Sequence, residues 1–237
     1  MSGRVLVLRH HDEDHAGLIG EAFAARGYAL DVVMMNESTP TPSVLGYDVL
    51  LILGSSSAVY DHEVEKAWFG RELGVIAEAL EHDVAVLGIC FGAQALCLFH
   101  GGQVTPSDEP EIGWYPIDTQ PGVDLEAGPW FEFHFDRMEI PDGATLWATT
   151  PRAVQAFSVG RNLGVQFHPE IDDGQLRDWL ESAAASARDF GHDIDELLER
   201  TAREVPAARR RADRLVALFL GHAGLAPDGT DRASSLH

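Results

Sequence analysis

Lysine is almost missing from this chain: Lys66 is the only one in 237 residues. Arginine supplies the rest of the positive charge. Even so, 17 basic residues stand against 38 acidic ones, for a formal net charge of −21. A surface with that balance repels nucleic acid and anionic lipid, so neither is expected as a partner. Cysteine is scarce too. Cys90 and Cys97 are the only two, they lie seven residues apart, and they suggest no disulfide framework; a reducing cytoplasm fits. No apolar run approaches the ~18 residues that a membrane span needs. The opening MSGRVLVLRHHDED lacks the long apolar region of a secretory signal. Internal repeats and low-complexity linkers are absent as well. What is left is a cytoplasmic chain, 45% hydrophobic, long enough for one sizeable core or a core with an appendage.

The apolar pattern alternates between strand and helix. RVLVL (4–8), ALDVVMM (29–35), YDVLLILG (47–54) and the run 84–89 read as strands, the third apolar throughout as a central parallel strand would be. HAGLIGEAFAARG (15–27) and a long amphipathic stretch over 62–81 read as helices between them. This order predicts a three-layer α/β/α fold with a mostly parallel central sheet, flavodoxin-like. From 102 to 166 the segments become short and alternating, as in strands with antiparallel hairpins. From 174 onward the pattern is helical, with Pro206 suited to the first turn of a last helix. The expected division is a main domain over 1–174, helices packed on it over 175–222, and a loose tail over 223–237. The last helix carries Leu215, Leu218 and Phe219 on one side, a face equally suited to the core or to a homo-oligomer contact.

The most informative stretch is AVLGICFGAQAL (85–96). A strand ends at Ile89, Cys90 sits between Gly88 and Gly92, and a helix follows. This is the pattern of a nucleophile elbow, in which a sharp turn lifts a side chain above the strand ends. The helix N-terminus below the sulfur favours the thiolate. An ordinary thiol is only a few per cent ionised at pH 7, so a base is needed. His168 is the candidate among 11 histidines. It closes the strand LGVQF, and Pro169 forces it into an extended conformation. Residues two apart in an extended chain face the same way, so Glu170 can orient its ring. The turn GSSSAVYD after the third long strand lies at the carboxyl edge of the sheet, where ligands of such folds bind. Backbone N–H groups of Ser55 and Phe91 are the candidate oxyanion donors.

GICFGAQ, GVQFHPE and that small-residue turn together resemble the class I glutamine amidotransferases, whose elbow is G-x-C-x-G-x-Q and whose base motif is H-P-E. The resemblance runs from about Val5 to Glu170 and is nearest to the glutaminase domain of GMP synthase and its stand-alone relatives. EIGWYPI (111–117) and FHFDRMEIPDGATLWATT (133–150) are also similar to that subgroup. The resemblance implies a class I amidotransferase fold and a Cys90–His168–Glu170 triad. It further implies attack of Cys90 on the side-chain amide of glutamine, ammonia release through His168, and a γ-glutamyl thioester that water hydrolyses. It places Gly54, Gln94 and His134 on the substrate side, and it calls for no cofactor and no metal. The family's oxyanion turn usually carries a glycine pair. Here it is Gly54-Ser55, and Ser55 would be strained if its φ had to turn positive. Fewer than 70 residues follow Glu170 and no nucleotide-binding glycine loop is visible among them, so the acceptor chemistry is expected on a separate synthase subunit.

Plainer readings apply elsewhere. Cys97 sits mid-helix among Ala, Leu and Phe and reads as core. RHHDEDH (9–15) packs three histidines and three carboxylates into seven residues. It nevertheless reads as a strand-to-helix loop whose acids favour the next helix N-terminus, not as a metal site. ARRRADR reads as a solvated helix face. Three functional classes stay open: a glutaminase or γ-glutamyl amide hydrolase of peptidase type, a weak or non-catalytic regulatory subunit, and an unrelated cysteine-elbow hydrolase.

Overall fold

The computed structural model describes residues 3–225. The strands β1 (Arg4–Arg9), β2 (Ala29–Met34), β3 (Val49–Ile52) and β4 (Ala85–Ile89) alternate with the helices α1 (Gly17–Ala25), α2 (His62–Val64) and α3 (Gly70–Glu81). After α4 (Phe91–Phe99) come β5 (Gln103–Tyr115), β6 (Asp118–Thr119), β7 (Trp130–Glu139), β8 (Thr145–Thr149), β9 (Val154–Val159) and β10 (Asn162–Val165). Two helices close the chain, α5 (Asp173–Asp189) and α6 (Ile194–His222). Among the described residues the main sheet has eight strands in the order β2-β1-β3-β4-β10-β9-β8-β6. The first five pair in parallel and the rest are antiparallel. The predicted α/β fold with a mostly parallel sheet is therefore the observed one. The antiparallel hairpin expectation holds for β8, β9 and β10, while β5 and β7 leave the main sheet and pair with each other.

Alternation along buried strands builds the two interfaces of the sandwich. Val5 and Val7 of β1 face α1 and α6, together with Val49, Leu51 and Phe219. Leu6 and Leu8 face the opposite layer with Leu50, Ile52, Val75 and Phe91. β2 and β3 lie on opposite sides of β1, so the strand order reverses at β1. Such a reversal opens a crevice above the carboxyl ends of the strands.

Two helical expectations need correction. The stretch 62–81 is not one regular helix, because a π-helical turn spans Glu65–Phe69 between α2 and α3. The C-terminal segment expected as two helices, with Pro206 opening the second, is one helix of 29 residues with Pro206 inside it. Pro206 removes one backbone hydrogen bond. The buried stripe, however, runs on past it through Leu197, Thr201, Ala208, Ala212, Leu215 and Phe219. Asp193 caps the start by accepting from the N–H groups of Asp195 and Glu196. Burial along the whole stripe thus outweighs the local cost of proline. The same packing uses the face that suited an oligomer contact: Leu215 and Phe219 are buried, Leu218 packs against the core, and Phe219 meets Phe23 edge to face at 6.4 Å. The expected loose tail falls almost wholly outside the described residues. No helix among the described residues is long and apolar enough to cross a membrane.

Because Pro206 interrupts a helix that packing already holds, Pro206→Ala should raise unfolding stability by about 1–3 kcal/mol. Urea denaturation of the two proteins checks this, and a lower midpoint in the variant would show that the ring itself packs favourably.

Candidate active site

Four strand ends converge on one cavity of about 670 Å³, lined among others by Gly54, Ser55, Cys90, Gln94, His134, His168 and Trp179. Cys90 stands between β4 and α4 with φ 50 and ψ −105, a conformation that a residue with a side chain avoids. Its N–H donates to the Val165 carbonyl at 2.8 Å, and its own carbonyl accepts from Gln94 N–H at 3.0 Å. A Cβ on Gly92 would collide with the Ile52 carbonyl, and one on Gly88 with Gly92 itself. The two glycines let the corner close against β3.

His168 lies just past β10, tied to β7 by its N–H on the Phe131 carbonyl at 2.7 Å. Its Nδ1 is 2.7 Å from Glu170 Oε1, so the i, i+2 geometry expected around Pro169 is present. Burial opposes charge on the ring, but Glu170 and the adjacent Cys90 outweigh it and hold the imidazole pKa well above its ordinary value. Cys90, His168 and Glu170 are therefore brought together. Gly54 lies under the His168 ring, where a Cβ would come 2.9 Å from Cε1. Ser55 does not take a positive φ in this structure: among the described residues only Asp83 and Cys90 do so without being glycine.

Gln94 is buried and its amide donates to Gln166 Oε1 at 3.2 Å, while Gln166 Nε2 donates to Cys90 Sγ at 3.4 Å. Gln166 was missed by the sequence reading. The signal was available, because Gln166 stands two residues before His168 and shares its face for the reason that Glu170 does. Trp179 of α5 was missed too. Its ring meets His168 edge to face at 4.9 Å, and no local pattern connects position 179 with position 168.

His134 is buried with Nε2 at 3.3 Å from Glu111 and 3.5 Å from Glu132, and with Nδ1 at 2.9 Å from the Asp136 carbonyl. Burial disfavours its charge, yet the two carboxylates push it up to about 10. Burial pushes Glu132 up to about 7. Glu111 is held further by Thr150 and Gln155, both at 2.9 Å. His134 is thus a buried imidazolium between carboxylates in the cavity wall, to which no Lys or Arg among the described residues contributes. Cys97 is unlike Cys90. It is fully buried, its thiol faces the Glu139 carbonyl at 3.3 Å, and burial pushes it up to about 11. In the segment 9–15, His10 is buried against Glu72, and Asp14 caps the N–H of His11.

Two outcomes follow from these environments. At neutral pH iodoacetamide should modify Cys90 and leave Cys97 unlabelled, as peptide mass spectrometry would show. Glu132 binds its proton more tightly folded than unfolded. The stability it lends is complete below 4.5 and is lost as pH rises through about 7. Glu132→Gln cannot lose that proton, so its stability relative to the unsubstituted chain should climb between pH 4.5 and 7 in urea melts. His134 loses its own contribution only from 6.5 upward, towards about 10.

Residues 15–182, more than half of the chain, match the family described as Glutamine amidotransferase class-I. GMP synthase [glutamine-hydrolyzing] of Helicobacter pylori is 30% identical over 162 residues, which are 65% of this chain and 30% of that protein. The GMP synthase of Brucella melitensis biotype 1 is 38% identical over 100 residues, 37% of this chain and 20% of the relative. The matched part is thus under a third of these relatives' length. Among solved structures, a glutamine amidotransferase from Thermotoga maritima superimposes with a TM-score of 0.84 at 24% identity, covering 94% of this chain and 99% of its own. One from Methylobacillus flagellatus gives 0.82 at 22% identity with full coverage of both; at these identities the likeness speaks for the fold. With the strained cysteine corner, the His-Pro-Glu strand end and the family match in one continuous region, the chain belongs to the class I glutamine amidotransferase family.

Proposed function

We propose that the chain hydrolyses the side-chain amide of glutamine through Cys90, His168 and Glu170. The observation that carries this reading is the strained Cys90 corner opening on a cavity beside the buried His168–Glu170 pair. Cys90 Sγ attacks the amide carbon, and the charge developing on oxygen is met by the backbone N–H groups of Ser55 and Phe91. His168, which holds its proton at neutral pH, gives it to the departing ammonia. The γ-glutamyl thioester is then hydrolysed by water, with His168 accepting a proton from it, to give glutamate and free Cys90. Glu170 keeps Nδ1 protonated and the ring aimed at sulfur. Gln166 steadies the sulfur and is itself held by Gln94. His134, whose two ring nitrogens already face Glu111, Glu132 and the Asp136 carbonyl, forms part of the wall on the substrate side. A separate synthase subunit is the proposed taker of the ammonia.

A second reading is favoured by the cavity. It is much roomier than glutamine requires. Its walls carry Phe133, Phe135 and Trp179 along with Glu13, Asp14 and Asp136. An N-substituted γ-glutamyl amide, with an amine in place of ammonia, fits that lining.

Ammonia and glutamate release from glutamine by the purified protein tests the first reading. Cys90→Ala should abolish it, His168→Ala should lower kcat about 10³-fold, and Glu170→Gln about 10²-fold, since an orienting group costs less than the proton carrier. Equal loss in the last two would mean that the roles are misassigned. A kcat/KM for γ-glutamyl butylamide above that for glutamine would decide for the second reading.

A further inference from the structure

His10 follows β1 directly and is fully buried, with Nδ1 2.8 Å from the Gly54 carbonyl and Nε2 2.8 Å from Glu72 Oε2. The Gly54 carbonyl can only accept, so Nδ1 carries a hydrogen. At Nε2 the ring donates to a carboxylate or accepts from a carboxylic acid, and in either case one proton bridges the pair. Glu72 is 0% exposed, and its second oxygen has no partner. The ring is enclosed by Trp68 at 4.5 Å and by Phe91 at 5.0 Å. Trp68 lies in the π-helical turn and Glu72 one turn later in α3. That irregular turn, of a kind often met at functional sites, therefore sets both groups around one imidazole. Nothing in the hydrolysis as proposed uses the pair.

Its position explains it. Gly54 cannot carry a side chain because the His168 ring lies over it. A glycine there leaves the turn free to rotate. The Gly54 carbonyl and the Ser55 N–H belong to one planar peptide and point in opposite directions. Holding the oxygen fixes the N–H, and rotating the peptide would leave a buried Nδ1–H unpaired. The same ring packs on Phe91, whose N–H is the other proposed donor.

We infer that the buried His10–Glu72 pair is the positioning device of the oxyanion turn: His10 fastens the Gly54–Ser55 peptide, and Glu72 fastens His10. This rests on the reading of Ser55 N–H as an oxyanion donor. His10 and Glu72 touch no substrate; they act on the transition state through the peptide they hold.

Two near-isosteric variants separate the two ring nitrogens. The amide nitrogen of His10→Asn falls at the position of Nδ1 and keeps the bond to Gly54. That of His10→Gln falls at the position of Nε2 and keeps the bond to Glu72. His10→Gln should lower glutamine kcat about 10²-fold with KM within threefold, and with little loss of thermal stability. His10→Asn should keep kcat within about tenfold of the unsubstituted chain while melting earlier, because Glu72 is left buried and unpaired. Cys90 should react with iodoacetamide at an unchanged rate in both. Glutamate γ-semialdehyde, which forms a tetrahedral adduct with the thiol, should bind about 10²-fold more weakly to His10→Gln only. Unchanged kcat in His10→Gln, or kcat falling in step with melting temperature in both variants, overturns the inference alone. An unsubstituted chain that neither turns over glutamine nor forms the semialdehyde adduct overturns the glutaminase reading, and this inference with it.

Discussion

The site depends on a backbone corner that an L-residue resists. Cys90 can stand clear of β4 only by taking φ 50 and ψ −105, at a cost of about 1–3 kcal/mol. Its surroundings supply what holds it there. The Cys90 N–H is engaged by β10, its carbonyl by the first turn of α4, and the two flanking glycines allow β3 and α4 to approach without collision. Remove the tight approach and the sulfur drops toward the strand, out of line with His168. The parallel pairing of β3, β4 and β10 thus serves the geometry of one side chain, because it brings the ends of those strands to the same height.

Around that corner, charge is managed with histidine. Buried carboxylates need a partner, and a chain with one lysine and a net charge of −21 has few cations to spare. Glu170 is paired with His168, Glu72 with His10, and Glu111 and Glu132 with His134. Each imidazole has two nitrogens at fixed angles, so each also reaches a second target: Cys90 for His168, the Gly54 carbonyl for His10, and the Asp136 carbonyl for His134. A lysine ammonium on a flexible stem would neutralise the carboxylate without fixing that second group. The three histidines act as rigid brackets: His134 and His168 in the cavity wall, and His10 on the Gly54 carbonyl beside it.

How much of this was legible in the sequence varied with distance along the chain. The strand runs, the Gly-Cys-Gly corner and the His168–Glu170 spacing are local, and periodicity and backbone sterics expose them. Gln166 was equally local and was overlooked, although the alternation that links Glu170 to His168 also runs backwards. Pro206 misled, because a local breaker was weighed without the buried stripe that continues past it. His10 is the plainest case of a side chain whose partner the local motif does not reveal. RHHDEDH leads from β1 into the loop before α1, as its pattern suggests, yet the His10 side chain turns inward to meet Glu72, sixty-two residues away.

The sequence by itself determined the layered α/β fold, the cysteine corner and the strand-end histidine with its carboxylate, since each follows from residues within a few positions of one another. Only the tertiary structure decided which distant side chains complete the site: Glu72 behind the Gly54–Ser55 turn through His10, Glu111 and Glu132 around His134, and Trp179 against His168. The reason is physical. A pair interaction across a folded core depends on how strands stack and helices cross, and neither hydrophobic periodicity nor turn chemistry encodes the partner of a buried charge.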